Sequence, residues 1–362
     1  MEKSRGKIGI REFVAVVILT IGTKMADDTP AILFEQMENA AWMGPLLIGA
    51  LSIIPLYFLT NVFTKYKGKN LFEVTLYLLG KPVGYCVLFF LWVIGGIAIT
   101  IDSSIYTDII GTMYFNKTPT LVLYAILMGI CAYGAKKGLE QVGSFAWSVL
   151  FWIKVSLFLA LFLTFRQGNM DFIYPFFGPG KWEVLKSSAS NLSIFADFLF
   201  LSLIAGFTAS PAVFKKGIWI SLVIVTIELS ISLLSFVVLF DYEPVKMLNY
   251  PFHETIRYIN LEFLPNIETL FFPFWLVALF IRFSFYLYLN ALLFGGLFRV
   301  KDFEYLIPTL ATLFVFLGMI PETPTFSIFD FREPFLKMIT PIFFLFPCLL
   351  WVMSKAKGDM KT

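Results

Sequence analysis

Long apolar runs separated by short polar connections follow one another along almost the whole chain. A helix needs about 20 mainly apolar residues to cross a bilayer, whereas a barrel strand would show about 10 alternating ones. The runs therefore predict an all-α polytopic membrane protein, a single transmembrane domain over residues 1–362 with ten spanning helices. The ten predicted segments are roughly 11–36, 42–64, 83–110, 119–134, 139–165, 188–209, 217–240, 266–298, 304–320 and 335–354.

The composition supports a membrane protein and argues against other classes. Hydrophobic residues make up 58% of the chain and charged residues 15%, and the mean hydropathy is +0.80. A soluble domain carries about 25% charged residues. The net charge of +3 gives no indication of nucleic-acid binding, and one histidine with three scattered cysteines predicts neither a metal site nor a disulfide framework. We find no nucleotide-binding or catalytic motif, so we expect no cofactor and no enzymatic activity.

The distribution of basic residues predicts the orientation of the chain. Lys and Arg are enriched in cytoplasmic loops of membrane proteins. If the N-terminus is inside, 17 of the 28 basic residues face the cytoplasm and seven, Arg332 among them, lie in loops on the opposite side. The remaining four lie within the segments. Both termini are therefore expected to be cytoplasmic.

One connection carries a helical pattern of its own. In the outer loop 241–265, polar and apolar residues from His253 to Ile259 alternate at helical spacing. This pattern predicts a short helix on the outer face, and a plain connector is the alternative.

Several ionisable residues lie inside the apolar segments. A charge at the bilayer centre costs about 2.5–3.5 kcal/mol on insertion scales, so each such residue is a candidate for function. Each can equally form a structural ion pair between helices, and the sequence leaves both interpretations open. The candidates are Lys24, Asp27, Asp28, Asp102, Lys154, Asp197, Glu228 and Arg282.

The first segment loses its apolar character halfway along. Gly22 weakens a helix, Pro30 removes a hydrogen-bond donor, and charges cluster between them. A broken helix that lines a polar cavity explains these features, with free carbonyls for an ammonium group and free amides for a carboxylate. The break predicts an amino-acid site that includes Thr20, Gly22 and Thr23. Alternatively, the segment ends near Thr23 and residues 24–30 form an outer loop.

The sixth segment is the expected counterpart of the first if the chain contains an inverted repeat. Asp197 lies about ten residues into this segment, after Phe195 and Ala196, although neither Gly nor Pro adjoins it. We include these three residues, together with Asp102 of the third segment, in the predicted ligand-binding set.

Lys154 in the fifth segment is a candidate for a different role. A buried lysine can titrate, or it can act as a fixed cation in place of a bound sodium ion. Structural pairing with Asp197 or Asp102, or extension towards the membrane interface, is the alternative. Ser284 in the eighth segment is a candidate neighbour of Lys154.

Several stretches, in their order and spacing, resemble a known family over nearly the whole chain. The family is the membrane-embedded B subunit of nutrient germinant receptors of endospore-forming bacteria, within the amino acid–polyamine–organocation transporter superfamily. The stretches are Gly22 with its surroundings, Lys65–Glu73, Lys136–Glu140, Tyr250–Ile259 and Ile267–Phe271.

The resemblance implies a LeuT-like fold of five plus five helices in an inverted repeat, with helices 1 and 6 broken. Repeat one would cover about residues 9–167 and repeat two about 186–355. It also implies a germinant site at the two breaks, location in the spore inner membrane, and assembly with an A subunit and a lipoprotein C subunit.

Two positions can be compared with the patterns of that family and superfamily. The family's helix 6 has Phe-Pro-Phe-Gly-Glu where this chain has Ser193–Asp197, so the acid and the second Phe remain in kind while the Pro and Gly are lost. Proton-dependent members of the superfamily carry a lysine in helix 5 near the helix-1 break, and Lys154 looks similar.

Two functions agree with these observations. The first is a receptor subunit that binds a small nutrient, foremost an amino acid, and signals through its partner subunits. The second is a proton-coupled amino-acid transporter with the same fold.

Overall fold

The computed structural model describes residues 7–259, 268–320 and 330–358, and helices make up most of these. Some predictions fall outside the described residues. These are the basic residues Lys3, Arg5 and Lys361, the end of the predicted outer loop at 260–265, and the start of the eighth predicted segment at 266–267. The described α-helices are α1 Ile10–Gly22, α2 Thr29–Met37, α3 Met43–Lys65, α4 Leu71–Leu79, α5 Lys81–Ile109, α6 Thr120–Lys136, α7 Leu139–Gln167, α8 Lys181–Ser190, α9 Asp197–Leu201, α10 Pro211–Phe240, α11 Tyr242–Lys246, α12 Pro251–Tyr258, α13 Glu268–Phe298, α14 Ile307–Gly318 and α15 Glu333–Ala356.

Six helical stretches within the described residues are long and apolar enough to cross a membrane. The other predicted segments are helical but shorter or interrupted: α1 has 13 residues, α6 has 17, and α8 is bent by 47° against the helical residues 192–207. The chain is therefore an all-helical integral membrane protein, and the count of ten spans stays a prediction. The six stretches are Thr29–Lys65, Lys81–Tyr114, Leu139–Gln167, Pro211–Phe240, Glu268–Phe298 and Asp330–Ala356.

Local sequence explains where several helices begin. At α4, the Asn70 side chain accepts a hydrogen bond from the Glu73 amide at 2.9 Å, and the Glu73 carboxylate accepts one from the Asn70 amide at 3.1 Å. This reciprocal capping box satisfies two amides that a helix start leaves free. At α10, Ser210 caps the helix and Pro211 occupies its first position, where a missing N–H costs nothing.

Helix α1 lies in the interior of the bundle. Nearly all its residues from Phe13 to Gly22 are buried, and the helix packs against α7, α10 and α13. A helix that is apolar all round is expected in such a position. Helix α7, in contrast, exposes Phe151, Phe158 and Phe162 on one side, so it lies at the periphery of the bundle.

Two helical segments are interrupted within the described core. Helix α1 ends at Gly22, one 3-10 turn follows at Thr23–Met25, and α2 begins at Thr29. Residues 24–30 are all buried, so they do not form an exposed outer loop. Helix α8 ends at Ser190, and the chain continues through the 3-10 turn Leu192–Phe195, the five-residue helix α9 and further 3-10 turns to residue 207.

The connection after α10 contains the expected short helix. Helix α12 covers Pro251–Tyr258, so the plain connector was the wrong alternative for this stretch. One face of α12 is buried, and the His253 side chain is fully enclosed. Helix α12 packs against α7, α10 and α13, and its His253 contacts the Ala26 carbonyl, which places the helix beside the first interruption.

Candidate functional site

A buried lysine connects the two interruptions. Lys24 lies in the 3-10 turn after α1, and its Nζ donates a hydrogen bond to the Ile194 carbonyl at 2.7 Å. The same ammonium forms an ion pair with Asp197 at the start of α9. Tyr286 of α13 donates its hydroxyl proton to the other carboxylate oxygen of Asp197. The Lys24 side chain is only 7% exposed, so this pair is held away from bulk water.

A buried arginine closes the end of α1. Nη1 of Arg282, a fully buried residue of α13, donates to the Thr20 carbonyl at 3.0 Å and to Thr23 Oγ1 at 2.9 Å, while Nη2 pairs with Asp102. Tyr106 donates its hydroxyl to the Thr23 carbonyl at 2.9 Å. Two carbonyls where α1 ends therefore accept hydrogen bonds from side chains of the protein.

A second arginine, which the sequence assigned to an outer loop, is part of the same buried network. Arg332 is 2% exposed and precedes α15. Its Nη2 donates to Asp27 Oδ2 at 2.8 Å, its Nη1 pairs with Asp28, and Asp102 Oδ1 lies 3.7 Å from Nη1. The sequence shows no signal for this role, because Asp330-Phe331-Arg332-Glu333-Pro334 looks like an ordinary polar boundary.

Lys154 pairs with neither of the partners considered from the sequence. Its Nζ forms an ion pair with Glu228 of α10, whereas Asp197 and Asp102 pair with Lys24 and Arg282. Ser284 is not part of the Lys154–Glu228 pair, and its Oγ lies 2.6 Å from where a side chain on Gly134 of α6 would begin.

Gly22 lies directly against the Lys154–Glu228 pair. A Cβ on Gly22 would be 2.8 Å from Glu228 Oε1, closer than real Cβ atoms approach a neighbour. A side chain at this position would therefore require the Glu228 carboxylate, and with it the ion pair to Lys154, to shift.

Two cavities divide the predicted ligand-binding residues between them. Asp102, Ala196 and Asp197 line a cavity of about 80 Å³. Gly22 and Thr23 line a smaller one of about 40 Å³, which Lys154 and Glu228 also border. Thr20 lines neither of these two cavities, and its carbonyl accepts a hydrogen bond from Arg282. Phe195 is fully buried and packs edge-on against Phe198, with the ring centroids 6.1 Å apart.

The larger cavity combines both signs of charge with an apolar wall. A small molecule there would find cationic and anionic groups within one enclosure, which suits a ligand that carries both charges. Its charged and polar lining is Lys24, Asp102, Ser193, Asp197, Tyr286, Asn290 and Arg332, and its apolar lining includes Phe200, Leu289, Leu293, Phe335, Leu336 and Ile339.

His253 of α12 caps a further carbonyl of the first interruption. Its Nε2 lies 3.1 Å from the Ala26 carbonyl oxygen, and its Nδ1 lies 2.8 Å from the Tyr114 hydroxyl. Because a carbonyl can only accept, Nε2 carries the proton and Nδ1 accepts from Tyr114. Burial lowers the pKa of His253 to about 3, so the ring stays neutral at physiological pH.

Comparison with known proteins gives consistent similarities. A family profile described as "Spore germination protein" matches residues 10–327. Spore germination protein B2 of Bacillus subtilis (strain 168) is 23% identical over 270 residues, which are 74% of this chain and 72% of that protein. Spore germination protein KB of the same strain is 24% identical over 321 residues, which are 83% and 81% of the two chains.

Among solved structures, the crystal structure of MhsT in complex with L-phenylalanine is similar in fold, with a TM-score of 0.63. The match covers 93% of this chain and 87% of that one at 13% sequence identity. At this identity the likeness concerns the fold alone, which is that of LeuT-like transporters.

Proposed function

Because this chain belongs to the spore germination protein family, we propose that it is the membrane-embedded subunit of a nutrient germinant receptor. In this role it binds a small nutrient, foremost an amino acid, near the middle of the bilayer. An A subunit and a lipoprotein C subunit assemble with it in the spore inner membrane and relay the binding event. Both termini face the cytoplasm, in agreement with the distribution of basic residues.

The proposed architecture is ten helices in two inverted repeats, one over about residues 9–167 and the other over about 186–355. Under this assignment, α1 and α2 are the two halves of broken helix 1, and the irregular stretch from α8 to residue 207 is broken helix 6. The likeness in fold over 93% of the chain and the interruption of the first and sixth predicted segments support this assignment.

The observation that carries the proposed function is the cavity of about 80 Å³ beside both interruptions, with buried groups of both charges. Asp102, Ala196 and Asp197 border the ligand. Thr20, Gly22 and Thr23 lie at the end of α1. Arg282 connects this end to Asp102 of the cavity, and Lys24 of the following turn lines the cavity itself. Phe195 supports α9 from the core. A ligand activates the receptor only if it binds one conformation more tightly than the other, because otherwise no population shifts.

Deletion of the gene tests the receptor function. Spores without it should lose the response to at least one nutrient, and the wild-type gene should restore that response. An Asp197→Ala gene should fail to restore it, whereas a Lys337→Met gene, which changes an exposed residue of α15, should succeed. Unchanged germination towards every nutrient, together with amino-acid uptake in vesicles, would contradict the receptor function.

A proton-coupled amino-acid transporter of the same superfamily is the second candidate. The observation that favours it is the transporter fold together with the Lys154–Glu228 pair beside the end of α1. Purified protein in vesicles with an imposed pH gradient should then accumulate labelled amino acid, and Lys154→Met should remove the dependence on the gradient. A receptor that does not transport gives no accumulation in the same assay.

A further inference from the structure

Four carbonyls and one amide at the two interruptions already have side-chain partners within the chain. Arg282 caps the Thr20 carbonyl, Tyr106 the Thr23 carbonyl, His253 the Ala26 carbonyl and Lys24 the Ile194 carbonyl. At the start of α2, Asp27 accepts a hydrogen bond from the Thr29 amide at 2.7 Å. A ligand that bound these groups, as the sequence suggested, would first have to displace a side chain.

Lys24 is the cap that a ligand can reach. Lys24 and its partner Asp197 both line the larger cavity, whereas Arg282, Tyr106 and His253 line neither of the two inner cavities described above. The lysine ammonium is also the cap with the chemistry of an amino-acid ammonium, since both are compact groups with three donors. The Lys24 ammonium binds the Ile194 carbonyl and the Asp197 carboxylate, and these two acceptors would therefore suit the ammonium group of an amino acid equally well.

We propose that the Lys24–Asp197 ion pair is a gate that a zwitterionic amino acid opens by inserting between the two charges. The ligand ammonium replaces Lys24 on Asp197 and on the Ile194 carbonyl. The ligand carboxylate replaces Asp197 as the partner of Lys24. This inference rests on the proposed function and identifies the residues that recognise the two charges of its ligand.

Charge balance favours insertion of a zwitterion over other ligands. A zwitterion adds no net charge to the cavity, and one ion pair becomes two, so neither Lys24 nor Asp197 is left buried without a partner. An amine without a carboxylate would satisfy Asp197 but release a buried lysine. An acid without an ammonium would satisfy Lys24 but leave Asp197 unpaired.

The surroundings provide for both displaced groups. Asp102 and Arg332 line the same cavity, so Asp102 can help to hold a shifted Lys24 and Arg332 can help to hold the ligand carboxylate. Phe200, Leu289 and Leu336 form an apolar wall for the ligand side chain. Because this wall is apolar, we choose small apolar amino acids as the first ligands to test.

The gate also couples ligand binding to the first interruption. Lys24 lies in the turn that joins α1 to the connection before α2, while Asp197 begins α9. Separation of the pair removes a buried connection between these two segments. The ligand thereby changes the link between them, which is the kind of differential contact that a receptor requires.

Thermal unfolding of the purified full-length protein in lipid nanodiscs tests the gate. The probes are L-alanine with ethylamine and propionate, and L-valine with isobutylamine and isovalerate. Each set compares the zwitterion with analogues that keep only the ammonium or only the carboxylate. For the wild type, we expect at least one of the two amino acids to raise the unfolding midpoint. The two analogues of that amino acid should bind at least tenfold more weakly.

The variants should exchange these preferences. Lys24→Met leaves Asp197 without its cation and should bind the amine better than the amino acid. Asp197→Asn frees Lys24 and should bind the acid better. The double variant Lys24→Met/Asp197→Asn has neither charge. It should bind the amino acid, the amine and the acid no more tightly than the wild type binds the two analogues. Lys337→Met removes an exposed lysine from α15 and should keep the wild-type order of ligands.

The outcomes separate the gate from the proposed function. If the amino acids bind and both single variants keep the wild-type order of ligands, the gate is wrong and the proposed function stands. If neither amino acid stabilises the wild type, the gate is wrong for small apolar ligands, and the germination assay decides the proposed function independently. Should the single variants fail to fold, undiminished amino-acid binding by the double variant would equally overturn the gate.

Discussion

Arg332 and Asp27 form a fully buried ion pair, with 2.8 Å between Nη2 and Oδ2, although 305 residues separate them along the chain. The pair joins the start of α15 to the connection between α1 and α2. It holds this polar connection inside an otherwise apolar bundle, because the carboxylates of Asp27 and Asp28 need a buried cation.

Arg332→Met should strongly destabilise the protein. The substitution leaves two fully buried carboxylates without their arginine, and removal of one partner from a buried pair costs about 3–5 kcal/mol. Denaturant titration in detergent micelles measures the loss in free energy of unfolding. Arg257→Met is the matched control, since it breaks a surface pair with Glu254 and should cost about 0–1 kcal/mol. Equal losses in the two variants would contradict the central role of Arg332.

The Lys154–Glu228 pair should respond unequally to removal of its two members. The Lys154 side chain is 28% exposed and that of Glu228 only 8%. Lys154→Met therefore leaves the more deeply buried charge unpaired and should destabilise more than Glu228→Gln. In a double-mutant cycle we expect a coupling of about 0.5–3 kcal/mol. Additive effects would mean that the two groups do not interact.

Gly22→Ala should destabilise the protein because the added Cβ meets the Glu228 carboxylate at 2.8 Å. Overpacking of this kind costs about 1–3 kcal/mol. Gly129→Ala in α6 is the control, since its Cβ would meet no atom within 4 Å and alanine favours a helix by about 0.5–1 kcal/mol. The difference in unfolding midpoint between the two variants measures the close approach at Gly22, and identical midpoints would rule it out.

His253 should make the protein less stable in acid. Its pKa is about 3 in the folded protein against an ordinary value of 6.5, so below pH 6.5 the unfolded chain takes up a proton that the folded chain refuses. Stability is therefore lost as the pH falls from about 6.5 towards 3, by up to about 1.4 kcal/mol per pH unit.

The comparison of wild type with His253→Gln isolates this contribution. The variant keeps a donor for the Ala26 carbonyl but cannot titrate, so its unfolding midpoint should depend less steeply on pH between 6.5 and 4.5. The titrating carboxylates are common to both proteins and cancel in the difference. Parallel pH profiles would show that His253 does not contribute.

Much of the fold could be predicted because lipid imposes a simple rule on sequence. A helix that crosses a membrane must be apolar over most of its length, so the long spans are visible as apolar runs. The irregular stretch around Asp197 had no such signal, since neither Gly nor Pro adjoins it and only the tertiary structure shows that α9 has five residues. The relationship to spore germination proteins, recognised from scattered motifs, is confirmed by the family match over residues 10–327.

The candidate site was predicted in its components and not in its pairings. The sequence singled out eight intramembrane ionisable residues, and each of them has an oppositely charged partner in the structure. The sequence placed Arg332 in a loop, whereas the structure buries it beside Asp27 and Asp28. The sequence also suggested Asp197 or Asp102 as the partner of Lys154, whereas the partner in the structure is Glu228. Sequence spacing indicates which charges lie in the membrane, but it carries no information on which helices are neighbours.

The sequence alone thus determined that this is a helical membrane protein whose first segment loses its apolar character after Gly22. Its pattern of apolar runs must satisfy the bilayer, whatever the arrangement of the helices. Only the tertiary structure decided that Lys24 bridges to Asp197, that Arg332 holds Asp27 and Asp28, and that Glu228 lies against Gly22. The reason is physical: a buried charge is stabilised by whichever opposite charge the packing brings within a few ångströms, and packing is a property of the folded chain.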